Sequence, residues 1–121
     1  MPIVLITMRL TFCAIVGLLS LLLVLGFGQS SVLAADLAHG AAVFETHCAG
    51  CHINGGNIVR RGKTLKLKAL EQNQVNTLEA IADLVSNGKG NMSAYQTKLS
   101  AAEIQAVSAY VLDRAETGWK S

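Results

Sequence analysis

The apolar residues form two different patterns, which divide the chain near residue 35. Leu10 to Phe27 is a run of eighteen residues without a charge, preceded by Arg9 and followed by small and polar residues. A basic start, an apolar stretch and a small-residue site such as Val32 to Ala34 are typical of a secretory leader. We therefore expect a cleaved signal peptide over residues 1–34 and a mature domain over residues 35–121. An uncleaved membrane anchor is the alternative, since eighteen apolar residues can barely span a bilayer.

Beyond the leader, apolar residues recur at helical spacing, and no segment shows the alternation of a convincing strand. Asp36 is the predicted N-cap of a first helix that runs toward residue 48. Leu37, Ala41, Phe44 and Cys48 lie three or four positions apart along it, so they share one face. We expect this face to pack inward.

Glycines and capping residues divide the rest of the chain. Gly55 and Gly56 interrupt the helical pattern, and residues 57–63 are a predicted loop. Three more helices are predicted: at residues 64–72, from a capping box at 76–79 to about residue 87, and from a capping box at 100–103 to residue 114. The last one directs Ile104, Val107 and Val111 inward. The chain therefore predicts an all-α domain of about four helices.

Cleavage of the leader leaves 87 residues, a size at which a chain buries little core and needs a further cross-link or cofactor. It also removes Cys13, so Cys48 and Cys51 are the cysteines that remain. A disulfide between these two would close a very short loop and would constrain the unfolded chain little. The stabilising element must therefore be something else.

The motif Cys48-Ala49-Gly50-Cys51-His52 matches the signature for covalent attachment of a c-type haem. Two thiols three residues apart on a helical turn point to one side, where both can form thioethers with the vinyl groups of one porphyrin. His52 follows directly and can ligate the iron. A redox dithiol would require a βαβ pattern, and a zinc site would require four separated ligands. We interpret the motif as the attachment site of one haem c.

Residues 35–121 resemble the cytochrome c6 family, the small haem carriers of cyanobacterial and algal photosynthetic electron transport. The resemblance lies in ADLAHGAAVF at the mature N-terminus, CAGCHINGGN at the haem motif, KTLKLKALEQ in the second helix and AYVLDRAETGWK in the last. It implies a class I cytochrome c fold around one covalent haem. In such folds Gly40 and Phe44 would pack across Val107 and Tyr110, and we assign Phe44 and Tyr110 to the core rather than to redox chemistry.

The resemblance also implies a sixth iron ligand. Met92 is the one methionine left after cleavage, and it occupies the place of the family's ligand methionine in a glycine-flanked loop. A thioether ligand raises the reduction potential relative to a second imidazole. The family usually carries proline after this methionine, whereas this chain has Ser93. His39 and His47 are rival nitrogen ligands, which we interpret as surface histidines.

Charge is informative through its distribution. Without Arg9 the chain has nine Lys and Arg against eight Asp and Glu, and two haem propionates would bring the total to about −1. Lys98 stands where the family commonly carries an arginine that meets its partner, and lysine keeps the charge but not the planar fork. Five basic residues, the basic cluster, are a candidate docking surface for an acidic partner or a solvated face: Arg60, Arg61, Lys63, Lys66 and Lys68.

The resemblance implies a one-electron carrier rather than an enzyme, exported to a thylakoid lumen or periplasm. Its donor would be the cytochrome b6f complex, and its acceptor photosystem I or a terminal oxidase. We expect a monomer that docks transiently to membrane complexes and binds no nucleic acid, because its aromatic and basic residues do not interleave. The alternatives are a haem enzyme or ligand sensor with a labile sixth site, and a membrane-tethered cytochrome that keeps its leader.

Overall fold

Residues 29–119 are described by a computed structural model, with side chains from Asp36 onward. Most of the predicted leader, residues 1–28, lies outside these residues, and the unit that begins at Ala35 is described by itself. The described residues form α1 (Gln29–His47), α2 (Ala49–His52), a 3₁₀ turn (Ile53–Gly55), α3 (Leu67–Gln72), α4 (Leu78–Asn87) and α5 (Ala101–Thr117). The described part of the chain has no β-strand beyond one isolated bridge, which confirms the all-α prediction. None of the helices within residues 29–119 has the length and apolar character needed to cross a membrane.

The two later helices begin at side-chain caps. At the start of α5 the Ser100 N–H donates to the Glu103 carboxylate at 2.8 Å, and the Ser100 hydroxyl accepts from the Glu103 N–H at 3.3 Å. This is the predicted capping box, and α5 continues three residues beyond its predicted end to Thr117. At the start of α4 the cap is Thr77, whose hydroxyl accepts from the Ala80 N–H at 3.2 Å. The N-cap predicted from the sequence, residue 76, is therefore one residue too early.

Two predicted helix starts are wrong. Asp36 does not cap α1, because the helix already begins at Gln29, and the Leu and Ala residues just before Asp36 are good helix formers. The next helix, α3, begins at Leu67 rather than at residue 64, since Lys66 is extended with φ −73° and ψ 142°. The Leu65 N–H donates to the Gly55 carbonyl at 2.8 Å. This long-range bond holds the segment before α3 in a non-helical conformation.

The core forms where α1 approaches α5. A Cβ on Gly40 would lie 2.1 Å from the Ala106 carbonyl oxygen, so only glycine allows the two helices this close. Phe44 is 2% exposed and Val107 is 0% exposed, and the Phe44 and Tyr110 rings lie 5.4 Å apart between centroids. The expected packing of Gly40 and Phe44 against Val107 and Tyr110 is therefore present.

The inward face of α1 is rotated from the predicted one. Leu37, Ala41 and Cys48 are only half-buried, whereas Val43 is buried beside Phe44. The close approach at Gly40 sets this rotation, because a residue without a side chain must face the neighbouring helix. On α5, by contrast, Ile104 and Val111 are buried as predicted.

Candidate functional site

A cavity of about 310 Å³ opens between the haem motif and the loop before α5. Cys48, Cys51 and His52 line it from one side, and Met92 lines it from the other. Forty residues separate His52 from Met92 in the chain. The fold therefore brings all four predicted site residues to one cavity.

Cys48 immediately precedes α2 as its N-cap residue, and Cys51 lies within the helix. The Cys48 N–H donates to the Phe44 carbonyl at 2.8 Å, so the chain leaves α1 with little change of direction. Cys48 is half-buried and Cys51 is exposed, and both are free thiols. Burial, and to a lesser extent the neighbouring Cys51 sulfur, raises the pKa of the Cys48 thiol to about 11. The described residues contain no βαβ unit, the usual setting of a redox dithiol, so the dithiol interpretation is not favoured.

A zinc site is not favoured either. Among the described residues no group of three or more His, Cys, Asp and Glu side chains is arranged to hold a metal ion. A structural zinc ion needs four such ligands in tetrahedral geometry.

The imidazole of His52 is oriented by a backbone carbonyl. Its Nδ1 lies 2.9 Å from the Gly56 oxygen, and a carbonyl can only accept, so Nδ1 carries the proton. This leaves the Nε2 lone pair free to bind a metal, which is the usual support of a metal-binding histidine. The turn that returns Gly56 to His52 passes through Asn54 and Gly55 with φ of 49° and 70°.

Met92 ends a tight hairpin turn. The Lys89 N–H donates to the Met92 carbonyl at 3.0 Å, and the Met92 N–H donates to the Lys89 carbonyl at 3.1 Å. We call residues 88–94 the methionine loop. Gly88, with φ 69°, begins it, and a Cβ there would lie 2.5 Å from the Met92 carbonyl oxygen. The side chain of Met92 is half-buried against the core.

One side chain, that of Asn57, organises the segment after the haem motif. Its Oδ1 accepts from the Val59 and Arg60 N–H groups at 2.9 and 2.7 Å, and its Nδ2 donates to the Lys63 carbonyl at 3.0 Å. We call residues 57–63 the asparagine loop. It directs Arg60 and Lys63 to the cavity, whereas Arg61 is not among the lining residues. The basic cluster is thus divided between the cavity and the outer surface.

These surroundings fit a haem. The flat apolar macrocycle needs apolar walls, and its two carboxylates need cationic or polar neighbours at one edge. Three cationic side chains from the two loops line the cavity: Arg60, Lys63 and Lys89. Apolar walls are supplied by Leu65, Leu70, Val75, Ile81, Leu84 and Val85.

Both rival histidines are exposed, as expected. His39 does not line the cavity, whereas His47 is exposed and also lines it. The Tyr95 hydroxyl donates to the His47 carbonyl at 3.0 Å, so the backbone of this histidine helps to hold the end of the methionine loop. The Lys98 ammonium lies 5.5 Å from the Tyr95 ring centroid, which fixes one positive charge next to that loop.

The structure adds Trp119 to the site, a residue for which no role at the site was predicted from the sequence. Its ring covers Gly55 so closely that a Cβ on that glycine would lie 2.3 Å from the indole Cγ. The indole Nε1 donates to the Leu65 carbonyl at 2.9 Å, and its ring lies 5.2 Å from that of Phe44. Trp119 therefore clamps the turn after the haem motif onto the core. The signal available in the sequence was one tryptophan following the Gly118 that ends α5.

Comparisons with known proteins identify the family of the chain. The profile of the family described as cytochrome c oxidase, cbb3-type, subunit III, matches residues 35–111. A cytochrome c6-like protein of Nostoc sp. (strain PCC 7120) is 55% identical over 87 residues, which cover 72% of this chain and 78% of that protein. Cytochrome c6 of Aphanizomenon flos-aquae is 49% identical over 86 residues, 71% of this chain and 99% of that protein.

A solved structure of the same kind is also similar. The crystal structure of cytochrome c6C from Synechococcus sp. PCC 7002 is 64% identical to this chain, with a TM-score of 0.66, and covers 67% of this chain and 99% of its own. Sequence and fold point to the same proteins. The chain therefore belongs to the cytochrome c6 family, and it is an electron carrier with one covalently bound c-type haem.

Proposed function

We propose that Cys48 and Cys51 hold the haem through two thioether bonds and that His52 and Met92 are the axial ligands of its iron. The observation that supports this most is the meeting of all four residues in one cavity. The orientation of His52 by the Gly56 carbonyl supports it further, because Nε2 is then the nitrogen available to iron.

The bound haem supplies a ferric–ferrous couple, and the chain's part is to keep its surroundings constant. His52 is held in one tautomer, and Met92 would supply the second protein ligand to the iron and so exclude small molecules from it. The apolar walls exclude water from most of the cavity. Such a site transfers one electron with little rearrangement and does not act as an enzyme.

We further propose that the mature protein, residues 35–121, works in a thylakoid lumen or periplasm after cleavage behind Ala34. Its donor would be the cytochrome b6f complex, and its acceptor photosystem I or a terminal oxidase. The similarity to proteins named cytochrome c6 supports this assignment. The higher identity to a cytochrome c6-like protein and to cytochrome c6C supports a divergent carrier rather than the main one.

Attachment and processing are tested together by mass spectrometry of the exported protein after acid–organic extraction. We expect the mass of residues 35–121 plus one haem. In Cys51→Ser one thioether remains, and in the double variant with Cys48→Ser the haem should be extracted. A wild-type mass equal to the bare chain would overturn the proposal, and a mass that includes residues 1–34 would support the tethered alternative.

The choice of acceptor is tested by the rates of electron transfer to photosystem I particles and to oxidase-containing membranes at increasing salt. If the basic residues meet an acidic partner, the rate falls as salt rises, since screening acts over about 8 Å at physiological ionic strength. Neutralising Lys98 should flatten that dependence. Rates that do not respond to salt with either acceptor would show that these cations are solvated surface.

A further inference from the structure

The asparagine loop places one guanidinium beside the methionine loop. Arg60 lines the haem cavity, and its Nη1 lies 3.9 Å from the position that a Cβ on Gly90 would occupy. This is an ordinary van der Waals distance, so the guanidinium lies beside the methionine loop at Gly90. Arg60 lines the cavity from the asparagine loop, and Lys89, Asn91 and Met92 line it on either side of Gly90, so the contact joins the two loops at the cavity.

The backbone of Arg60 is fixed where the side chain begins. Its N–H donates to Asn57 Oδ1 at 2.7 Å, and the amide of the same Asn57 holds the far end of the loop at the Lys63 carbonyl. A single side chain therefore sets the direction in which Arg60 leaves the loop. The arginine is exposed, but its starting point is not free to move.

The neighbouring cation on this loop is already engaged. The Lys63 ammonium donates to the Asn73 side-chain oxygen, whereas the Arg60 guanidinium makes no hydrogen bond or ion pair with any residue in the range 36–119. Five N–H donors thus face a cavity whose cofactor brings two carboxylates. A guanidinium fits a carboxylate in a bidentate pair, which an ammonium cannot form.

We propose that Arg60 is a positioning residue that pairs with a haem carboxylate while lying against Gly90, and so ties the methionine loop to the opposite wall of the cavity. This inference rests on the proposed ligation by Met92, which is two residues beyond Gly90. Ser93 leaves the loop's backbone less restricted than proline would, and the arginine compensates by holding the loop from outside. Opening the loop would then also require the guanidinium to leave Gly90.

The test compares four ferric holoproteins: wild type, Arg60→Gln, Arg60→Lys and Arg61→Gln. Arg61 is the matched control, because it carries the same charge next in sequence and does not line the cavity. Imidazole is the probe, and its concentration at half-loss of the sulfur-to-iron charge-transfer band is measured. For Arg60→Gln we expect displacement at about two- to fivefold lower imidazole, the size of an exposed ion pair. The imidazole concentration for Arg60→Lys should lie between the values for Arg60→Gln and wild type. The concentration for Arg61→Gln should match that of wild type.

The reduction potential is the second readout, since packing alone would not change it in this way. Removal of a cation that pairs with a haem carboxylate should lower the potential in Arg60→Gln, and Arg60→Lys should restore most of the loss. Equal effects of Arg60→Gln and Arg61→Gln, in both imidazole affinity and potential, would overturn the proposal.

A failure of the proposed ligation would look different. If wild-type ferric protein lacks the charge-transfer band, Met92 is not the ligand, and Arg60 is then judged by the potential alone. A potential lowered only in Arg60→Gln would support the carboxylate pair. Equal or absent shifts in Arg60→Gln and Arg61→Gln would contradict it.

Discussion

The segment after the haem motif is hydrogen-bonded along most of its length, whereas the methionine loop is hydrogen-bonded mainly at its two ends. We call the segment after the haem motif the first wall of the cavity and the methionine loop the second wall. On the first wall, the Ile58 N–H donates to the Cys51 carbonyl and the Leu65 N–H to the Gly55 carbonyl. The Trp119 indole N–H donates to the Leu65 carbonyl. On the second wall, the Lys89–Met92 turn is followed by the Tyr95 N–H, which donates to the Val85 carbonyl at 2.9 Å. Within the described residues, the intervening Ser93 and Ala94 donate no backbone hydrogen bond.

This difference separates two functions of the fold. The wall that carries Cys48 and His52 is tied to the core through Trp119, which bonds to Leu65 and packs on Phe44, so disturbing it should lower the free energy of unfolding. The wall that carries Met92 is attached to the core by few bonds, so disturbing it should displace the ligand while the fold persists. The free energy of unfolding and the resistance of Met92 to displacement from the iron can therefore be measured separately. We expect the variants below to affect these two quantities differently.

The largest effect on stability is expected for Gly55→Ala. The new Cβ would meet the Trp119 ring at 2.3 Å, at a φ of 70° that alanine adopts poorly. Strain and overpacking together should lower the free energy of unfolding by about 3 kcal/mol. Guanidinium denaturation of the holoprotein measures this. The control is Gly62→Ala, where no atom lies within 4 Å of the new Cβ; a similar loss there would show that Trp119 is not the cause.

Gly88→Ala should act on the second wall. Its Cβ would lie 2.5 Å from the Met92 carbonyl oxygen, with φ 69° and ψ 174°, a conformation almost restricted to glycine. We expect loss of the sulfur-to-iron band together with a fall of about 1–2 kcal/mol in the free energy of unfolding. A variant that unfolds as readily as Gly55→Ala while keeping the band would contradict the division between the walls.

The sequence could predict what depends on neighbours along the chain. The capping box at Ser100 and the haem motif are local patterns, and both lie where they were expected. The clamp of Trp119 on Gly55 joins residues 64 positions apart. It follows from how α5 returns across α1, which no local pattern contains.

The absence of long-range contacts from a local sequence pattern also explains the wrong start of α3 and the undivided basic cluster. Residues 64–66 have a helical pattern, but the bond between Leu65 and Gly55 keeps them out of α3. Arg60 and Arg61 are equivalent in the sequence, yet only Arg60 lines the cavity. Tertiary contacts decided both cases.

Ser100→Ala should lower global stability and leave Met92 in place, because α5 supports the core and not the methionine loop. Loss of an N-cap costs about 1 kcal/mol. Hydrogen bonds from the Ser100 backbone and side chain also hold the pKa of Glu103 below its usual value.

The pH dependence of this variant follows from that shift. A lowered pKa contributes stability above the unfolded-state pKa, and the contribution is lost as pH falls through the folded-state value. Ser100→Ala keeps the backbone N–H that donates to Glu103 and removes only the hydroxyl's share of the shift. The stability difference between wild type and Ser100→Ala should therefore be largest near neutral pH and shrink in acid by that share alone. Denaturation curves measured from pH 7 to pH 3 would show this, and a difference that grows in acid would contradict it.

The smallest effect is expected for Ser93→Pro. Ser93 is exposed and donates no backbone hydrogen bond among the described residues, so proline removes no bond there. Provided that Ser93 has the φ near −65° that proline requires, restricting the unfolded loop should stabilise the closed one by about 0.4–1 kcal/mol. This raises the imidazole concentration needed to displace Met92 by about two- to fivefold. Ser93→Ala is the control, since it lacks the ring. If Ser93→Pro and Ser93→Ala lower the imidazole concentration needed to displace Met92 by the same factor, the Ser93 hydroxyl holds the loop closed. Restriction of the backbone then has no effect.

The central claim is that His52 and Met92 together hold a low-spin haem, and the ferric visible and near-infrared spectrum of the mature holoprotein tests it most directly. We expect the weak sulfur-to-iron charge-transfer band in wild type. Met92→Ala should lose it, with a lower reduction potential and a site open to cyanide. A wild-type protein that lacks the band, or that binds cyanide as fast as Met92→Ala, would contradict the account and favour a haem enzyme or ligand sensor.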